Sequence, residues 1–182
     1  MTDDELMEAI ARGDEESARL LVERWESTVF AFHLRMVGSR EDAQDLGQET
    51  FVRLFKHAAG YRPAGRFRSW LFRIAGNLAR SHLRRRRVLS WVSFSPGRHD
   101  SAAAEEDPGA DVERAEAAAA VRRALSRLPE RQRRAIVLRN YQGLSYREIS
   151  SAMGASVPAV ESLIRRGMAA LGRELSAREA ER

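Results

Sequence analysis

The sequence predicts an all-α protein made of two small helical domains joined by a flexible linker. Apolar residues recur at three- and four-residue intervals through most of the chain, which is the period of an amphipathic helix. Helix-capping residues precede several of these runs, and a segment rich in proline, glycine, alanine and acidic residues separates the two halves. The predicted organisation is a first domain at 1–94, a linker at 95–111, a second domain at 112–176 and a polar tail at 177–182.

Composition excludes several classes of function. The chain has 182 residues, of which 43% are hydrophobic, enough for a core, and it has no cysteine. Its four histidines are scattered rather than placed at ligand spacing, so we expect neither a metal nor a cofactor. The opening MTDDELMEAIARGDEE is acidic where a signal peptide is basic, and no run approaches the ~20 apolar residues of a membrane span. The sequence therefore predicts a cytoplasmic protein without membrane insertion.

Charge is distributed in four blocks of alternating sign. Residues 1–49 carry a net charge of −8, and residues 50–99 carry 12 basic residues and no acidic one. The next block, 100–120, has a net charge of −6, and 121–182 has +7. An unmixed basic run indicates a polyanionic partner. We expect two nucleic-acid-contacting units that the acidic spacer keeps apart.

Three helices are predicted before the basic block. Thr2 or Asp3 caps a short helix, Asp14 caps a longer one that ends at Gly38, and Ser39 with Asp42 begins a third as a capping box. Acidic residues in a first turn complement the helix dipole, but that effect does not reach more than two turns in. The polar side of the third helix is therefore predicted to bind a basic protein surface through Asp42, Asp45, Gln48 and Glu49.

The basic block centres on a helix predicted from Phe67 to Arg87, FRSWLFRIAGNLARSHLRRRR. One face is apolar, and the opposite face carries a stripe comprising Arg73, Asn77, Arg80, Arg84 and Arg87. The alternative interpretation is an ordinary solvated arginine face, although such faces normally mix signs.

The loop before this helix combines arginines with aromatic rings, in the sequence YRPAGRFRS. Single-stranded or flipped bases are held by stacking and charge together, which this composition suits. The alternative is a plain connector in which Tyr61 and Phe67 anchor the core, and for Phe67 we favour it. The residues predicted to contact a single strand are Tyr61, Arg62, Arg66, Arg68, Asn77, Arg80 and Arg84.

The segment DAQDLGQETFVRLFKHAAGYRPAGRFRSWLFRIAGNLARSHLRRRR resembles the second domain of extracytoplasmic-function sigma factors, a class of bacterial RNA polymerase sigma subunits. The resemblance implies that the acidic helix docks on the clamp helices of core RNA polymerase. It also implies that the loop and basic helix melt the minus-ten element and capture a flipped base of the non-template strand. Gly47 departs from the aliphatic residue usual in the family. After Arg87, an apolar cluster is expected to fold back on the first domain: Val88, Leu89, Trp91, Val92 and Phe94.

The last third of the chain predicts a helix-turn-helix. One helix covers Val112 to Leu125, and another has Pro129 in its first turn and ends before Gly143. Ser145 and Glu148 form a capping box, Gly154 makes the turn, and Ser156 caps the last helix. The buried stripe of that helix is predicted to be Val160, Ile164, Met168, Leu171 and Leu175, and its DNA-contacting set Ser156, Glu161, Ser162, Arg165 and Arg166.

The segment LPERQRRAIVLRNYQGLSYREISSAMGASVPAVESLIRRGMAAL resembles the fourth domain of the same sigma class. That resemblance implies contact with the polymerase flap, recognition of the minus-thirty-five element, and an anti-sigma protein as a further partner. The predicted function is that of an alternative sigma factor that binds core polymerase and promoter DNA and is not an enzyme. The alternatives are an autonomous helix-turn-helix regulator, which leaves the acidic patch unexplained, and an RNA-binding protein, which makes the helix-turn-helix redundant.

Overall fold

The computed structural model describes residues 1–92 and 112–179, and the side chains of 1–89 and 117–176. Every regular element in those two stretches is helical, which confirms the all-α prediction. A 3₁₀ turn at Ala58–Gly60 precedes the loop, and a π-helical turn at Val137–Tyr141 follows the sixth helix. The helices are α1 Asp3–Ala11, α2 Glu15–Val37, α3 Arg40–Lys56, α4 Phe67–Val92, α5 Val112–Arg127, α6 Glu130–Ile136, α7 Tyr146–Met153 and α8 Val157–Glu179.

Capping side chains set the helix starts, mostly as predicted. Thr2 and Glu5 form a reciprocal capping box on α1, and the Asp14 carboxylate accepts from the Ser17 amide at 3.1 Å on α2. The Ser39 hydroxyl accepts from the Asp42 amide at 3.2 Å, but the predicted capping box is only half formed. The Asp42 carboxylate turns towards α4 instead, where the Arg86 guanidinium carries positive charge.

The N-terminal unit, α1 to α4, packs around two apolar layers. Leu21, Leu54 and Leu71 bring α2, α3 and α4 together in a cluster that also holds α1. The rings of Phe32 and Phe72 lie 5.3 Å apart in the second layer. These contacts place α4 beside α3, with the polar faces of both helices turned outward.

The C-terminal unit, α5 to α8, differs from the prediction in two places. Pro129 is the N-cap of α6 rather than a residue of its first turn, and the helix then widens into the π turn before Gly143. In α8 the predicted buried residue Met168 is 42% exposed, because the neighbouring Gly167 makes the close approach to α6. A Cβ at Gly167 would lie 2.6 Å from Ile136 Cδ1, so any larger residue there would have to displace the Ile136 side chain.

The two units pack against each other, contrary to the prediction that the spacer keeps them apart. One buried cluster contains Phe32 and Phe72 of the N-terminal unit together with Leu138, Ile149 and Val160 of the C-terminal unit. Helix α7 lies on α4, and α2 contacts α5, α6 and the π turn. Apolar burial explains the contact, since it outweighs repulsion between two basic surfaces that are largely screened. The predicted linker at 95–111 lies outside the described residues.

Val88 and Leu89, the members of the apolar cluster after Arg87 whose side chains are described, do not fold back on the N-terminal unit. Helix α4 continues to Val92, and Val88 and Leu89 are 58% and 64% exposed. For Val88 and Leu89 the prediction is wrong, because a continuing helix carries these two residues past the end of the N-terminal core. Phe94 lies outside the described residues, as do the side chains of Trp91 and Val92. None of the helices described at 1–92 and 112–179 is long and apolar enough to span a membrane.

Gly47, the departure from the family pattern, leaves space beside α3. A Cβ built at Gly47 meets no atom within 4 Å, and the backbone is helical. We expect Gly47→Ala to raise the free energy of unfolding by about 1 kcal/mol, because alanine restricts the unfolded chain and favours the helix. The matched control is Gly38→Ala, whose φ of 81° should make the same change destabilising. A urea unfolding midpoint at or below that of the parent would contradict the expected gain for Gly47→Ala.

Candidate nucleic-acid and polymerase interfaces

The predicted arginine stripe lies on the open face of α4. Arg73, Asn77, Arg80 and Arg84 are all exposed, while Phe72, Ala75 and Ala79 between them are buried. Alternating four- and three-residue intervals keep the stripe nearly parallel to the helix axis, at ~1.5 Å of rise per residue. The sequence of α4 contains no acidic residue, so no carboxylate of the same helix balances the charges of Arg73, Arg80 and Arg84.

The loop before α4 is held in place by α1, through a residue that sequence reasoning missed. Asp4 accepts from the Tyr61 hydroxyl at 2.5 Å and from the Gly65 amide at 2.7 Å. Burial raises the pKa of Tyr61, and so does the hydrogen bond to Asp4, so the hydroxyl remains a donor. The Tyr61 ring packs 4.9 Å from Trp70, which makes Tyr61 an anchor of the loop as well as part of its surface. An acidic residue in a first turn ordinarily signals only the helix dipole, so no pattern distinguished Asp4.

The anchored loop and the start of α4 enclose an open cavity of about 310 Å³. Three guanidinium groups beside two aromatic rings provide both charge for a phosphate and surface for a base. The lining residues include Tyr61, Arg62, Arg66, Trp70 and Arg73, with Ser151 of α7 on the opposite side.

Arg68 departs from the rest of the predicted single-strand set. Its guanidinium donates to the Gln142 carbonyl and lies 3.9 Å from the Glu148 carboxylate, both in the C-terminal unit. The structure therefore brings Arg62, Arg66, Asn77, Arg80 and Arg84 to solvent but commits Arg68 to an internal contact. The sequence contains no signal for this contact, since the partners are 74 residues apart for the carbonyl bond.

The acidic face of α3 separates into two parts. Asp45 and Gln48 are exposed, and Glu49 is half-buried and pairs with Arg53 at 2.7 Å. Asp42 instead faces α4, with its Oδ2 3.3 Å from His82 Nε2 and 3.5 Å from Arg86 Nη1. Three of the four predicted docking residues thus lie on one open surface, and the fourth connects α3 to α4.

An apolar residue that the sequence analysis overlooked lies among the acidic ones. Val52 is 59% exposed and follows Asp45 by seven residues, which returns it to the same face of α3. Its position on the polar side of the helical wheel was the signal that could have identified it. Behind this face, His33 Nε2 lies 2.9 Å from Thr50 Oγ1, and burial lowers the pKa of His33 to about 3. A neutral buried pair therefore fixes α3 against α2.

The helix-turn-helix forms from α7 and α8 with the predicted turn chemistry. Gly154 adopts φ 60°, and the Ser156 hydroxyl accepts from the Ala159 amide at 3.4 Å. Ile149 and Val160 are fully buried between the helices. The outer face of α8 presents Glu161, Arg165 and Arg166 to solvent, with Ser162 half-buried beside them.

Comparison with known proteins identifies both units. Residues 21–88 match the family model for Sigma-70 region 2, and residues 118–171 match the model for Sigma-70, region 4. The RNA polymerase sigma-H factor of Pseudomonas aeruginosa is 33% identical over 181 residues, covering 95% of this chain and 93% of the relative. The chain belongs to the extracytoplasmic-function family of RNA polymerase sigma factors.

Further sequence relatives and solved structures support the same family assignment for this sigma factor. The ECF RNA polymerase sigma-E factor of Escherichia coli is 33% identical over 178 residues, covering 94% of this chain and 93% of the relative. The structure of CnrH in complex with the cytosolic domain of CnrY matches 96% of this chain and 97% of that one, with a TM-score of 0.70 and 29% identity. RpoE from Bartonella quintana has the same fold, with a TM-score of 0.68, 21% identity and coverage of 87% and 96%.

The sigma factor thus acts in transcription initiation, directing RNA polymerase to promoters. The matches favour this function over an autonomous regulator and over an RNA-binding protein. Region 2 accounts for the front half of the chain, and region 4 accounts for the helix-turn-helix. Neither alternative explains both.

Proposed function

We propose that three surfaces of the sigma factor, one on α3, one on α4 and one on α8, each make a different contact during promoter opening. The acidic face of α3 docks on the clamp helices of core polymerase, the stripe and cavity of α4 hold the separated minus-ten strand, and α8 reads the minus-thirty-five element while its unit contacts the flap. The observation that carries this proposal is the unmixed basic stripe of α4 beside a cavity of arginines and aromatic rings. The sigma factor contributes binding free energy in the cytoplasm, and bond-making belongs to the polymerase.

Strand separation requires contacts that form only after the bases leave the duplex. Unpairing and unstacking cost a few kcal/mol per base, which a protein offsets by stacking and by phosphate contacts. Trp70 and Tyr61 supply aromatic surface at one end of the cavity, and Arg62 and Arg66 supply charge. Asn77, Arg80 and Arg84 continue the positive surface along α4, where a single strand leaving the cavity would lie.

The proposed docking surface on α3 is acidic, whereas the proposed DNA surfaces on α4 and α8 are mainly basic. Asp45 and Glu49 would repel a phosphate backbone, so a basic protein surface is the better partner for α3. Exposed Val52 lies among them, and an apolar centre within a charged rim is the usual anatomy of a protein interface. Asp42, drawn to His82 and Arg86, orients α3 against α4 and is proposed to contribute less direct contact.

A regulatory protein partner is also proposed. CnrH, which aligns over nearly the whole of this chain, was solved bound to the cytosolic domain of a second protein, CnrY. Exposed Val88 and Leu89 at the end of α4 offer apolar surface for such an anti-sigma partner.

Transcription from a random-sequence library tests the proposed function. Core polymerase with this protein should yield transcripts whose upstream regions share two sequence elements at a fixed spacing. Core polymerase alone should yield none with that pattern. Enrichment of a single duplex element by the free protein, with no polymerase-dependent transcripts, would instead indicate an autonomous regulator.

The minus-thirty-five contact allows a prediction at single residues. Arg165 and Arg166 are exposed on α8, where a bidentate contact to guanine is available to either. Alanine at the residue that makes this contact should cost about 1 to 3 kcal/mol at one base position, because one base edge loses its donor pair.

Binding of the holoenzyme to a set of single-base promoter variants measures this effect. A residue that contacts only phosphate should instead weaken binding evenly across all sequences when it is replaced. Arg173→Ala, an exposed arginine further along α8, is the control and should leave the base preferences unchanged. Unaltered binding and base preferences in both Arg165→Ala and Arg166→Ala would reject the assigned contact.

A further inference from the structure

A single carboxylate, that of Asp4 in α1, binds both ends of the loop segment 61–65, which is called the arch below. Asp4 Oδ1 accepts from the Tyr61 hydroxyl at 2.5 Å, and Asp4 Oδ2 accepts from the Gly65 amide at 2.7 Å. These partners lie 57 and 61 residues further along the chain. The two ends of the arch are therefore joined through one side chain that belongs to a different helix.

The arch has few internal constraints of its own. In this part of the described chain, no amide of residues 62–65 donates to a backbone carbonyl, so the arch lacks the hydrogen bond that closes many tight turns. Gly65 adopts φ 64°, which a residue with a side chain rarely adopts. The two bonds to Asp4 therefore supply a constraint that a turn would otherwise provide from within.

Helix α1 fixes the position of Asp4 itself. Leu6 is fully buried in the apolar cluster that also holds α2, α3 and α4. On the neighbouring residue, Asp3 Oδ1 accepts from Arg24 Nη1 at 2.7 Å and from Trp25 Nε1 at 3.1 Å, both on α2. The Asp4 carboxylate is thus attached to a helix that is packed on the core, and its position determines that of the arch.

The helix dipole explains an acidic residue at position 4 but not the contacts of that residue. The dipole favours a first-turn carboxylate without requiring hydrogen bonds to a distant loop. Asp4 instead binds the loop with both of its oxygens. A carboxylate close to a basic DNA surface also repels phosphate, so its presence there needs a compensating role. Holding the arch supplies that role.

The arch forms part of the cavity wall. Tyr61 and Arg62 line the cavity from the arch, and Arg66, which also lines it, follows directly. The Tyr61 ring centre lies 4.9 Å from that of Trp70 and 6.3 Å from that of Phe67, so the bond from its hydroxyl fixes one end of an aromatic cluster. A wall that is ordered before binding avoids the entropic cost of immobilising side chains when the ligand arrives.

We propose that Asp4 is a positioning residue for capture of the separated strand. Asp4 holds the arch in the conformation that presents Tyr61, Arg62 and Arg66 to an unpaired base, and it acts on the strand only through the arch. Helix α1 is thereby part of the apparatus that opens the promoter. The capture role rests on the proposed function, whereas the control of the arch by Asp4 does not.

Solvent exchange of the Gly65 amide, followed by NMR in the free protein, tests the control of the arch. Asp4→Ala should raise the exchange rate about tenfold, because an amide that has lost its acceptor exchanges without a local opening step. The matched control is Glu8→Ala, which removes the same charge from an exposed position of the same helix and should keep the parent rate. A parent-like rate in Asp4→Ala would overturn the control of the arch.

Promoter opening by the holoenzyme tests the capture role. At saturating holoenzyme, Asp4→Ala should lower permanganate reactivity around the minus-ten element about five- to tenfold, as loss of a charge-assisted hydrogen bond predicts, with core binding unchanged. Asp4→Asn should restore most of the opening, because its carbonyl can accept from Gly65 and its amide can donate to the Tyr61 oxygen. Glu8→Ala should open promoters like the parent. Equal losses of core binding and opening in Asp4→Ala would mean a structural role only and overturn the proposal.

Tyr61→Phe provides a second measurement that leaves α1 unchanged. It keeps the aromatic ring but removes one of the two donors to Asp4, so it should also lower opening even if Asp4→Ala reduces the helical circular dichroism signal. Normal opening in Tyr61→Phe, or in a folded Asp4→Ala whose Gly65 exchange has risen, would overturn the capture role. Failure of the proposed function would appear separately, as absence of promoter opening by the parent holoenzyme.

Discussion

Replacing Asn77 and Arg80 together with alanine is expected to leave binding to core polymerase nearly normal and to reduce promoter opening at least about tenfold. Both side chains are exposed on the α4 stripe, away from the acidic face of α3. A hydrogen bond that involves a charged group is worth about 1.5 to 3 kcal/mol, and each 1.36 kcal/mol changes an equilibrium or rate tenfold. Since these contacts form only after the bases unpair, their loss should affect opening more than initial binding.

Permanganate reactivity of thymines around the minus-ten element measures opening, at saturating holoenzyme. The matched control is Arg85→Ala, which also removes one positive charge from an exposed position of α4 but lies off the stripe. A purely electrostatic stripe predicts a uniform loss of DNA affinity that added salt reproduces, with opening intact at saturation. Normal reactivity in the double variant would mean that the stripe is only a solvated arginine face.

Reversing the charges of Asp45 and Glu49, as Asp45→Lys with Glu49→Lys, should weaken binding to core polymerase by at least about tenfold. Close interfacial charge pairs contribute from about 1.5 kcal/mol upward, and reversal replaces attraction with repulsion. The fold should remain intact, because exposed substitutions rarely change stability by more than ~0.5 kcal/mol. Loss of the Glu49–Arg53 pair on the helix surface adds a similarly small cost.

Fluorescence anisotropy of labelled protein titrated with core polymerase provides the affinity. The control reverses two exposed acidic residues away from α3, Glu8→Lys with Glu26→Lys, which changes the net charge by the same amount. A general charge effect would weaken both variants equally. If the α3 variant and the unmodified protein bind core polymerase with the same affinity, α3 is not part of the docking surface.

Local features of the chain were determined by the sequence alone. The caps at Thr2, Asp14 and Ser145 and the glycine turn at Gly154 depend on hydrogen bonds and φ values within a few residues. The faces of α4 follow from its own periodicity, and exposure of Asn77 and Arg80 agrees with it. Because these properties involve only near neighbours in the chain, residue spacing was sufficient to predict them, and the two regions could be recognised as those of a sigma factor.

Only the tertiary structure decided which helix faces meet. Arg134 and the Phe72 carbonyl are 62 residues apart, and Asp4 reaches Tyr61 across 57. Periodicity shows that a helix has an apolar face, but it does not identify the partner helix or the polar groups enclosed with it. Arg68 was accordingly predicted as a DNA contact and is found bonded to the C-terminal unit. A Cβ at Gly76 would overlap the guanidinium of Arg134, and residue spacing gives no sign of this contact because the two residues are distant in the chain.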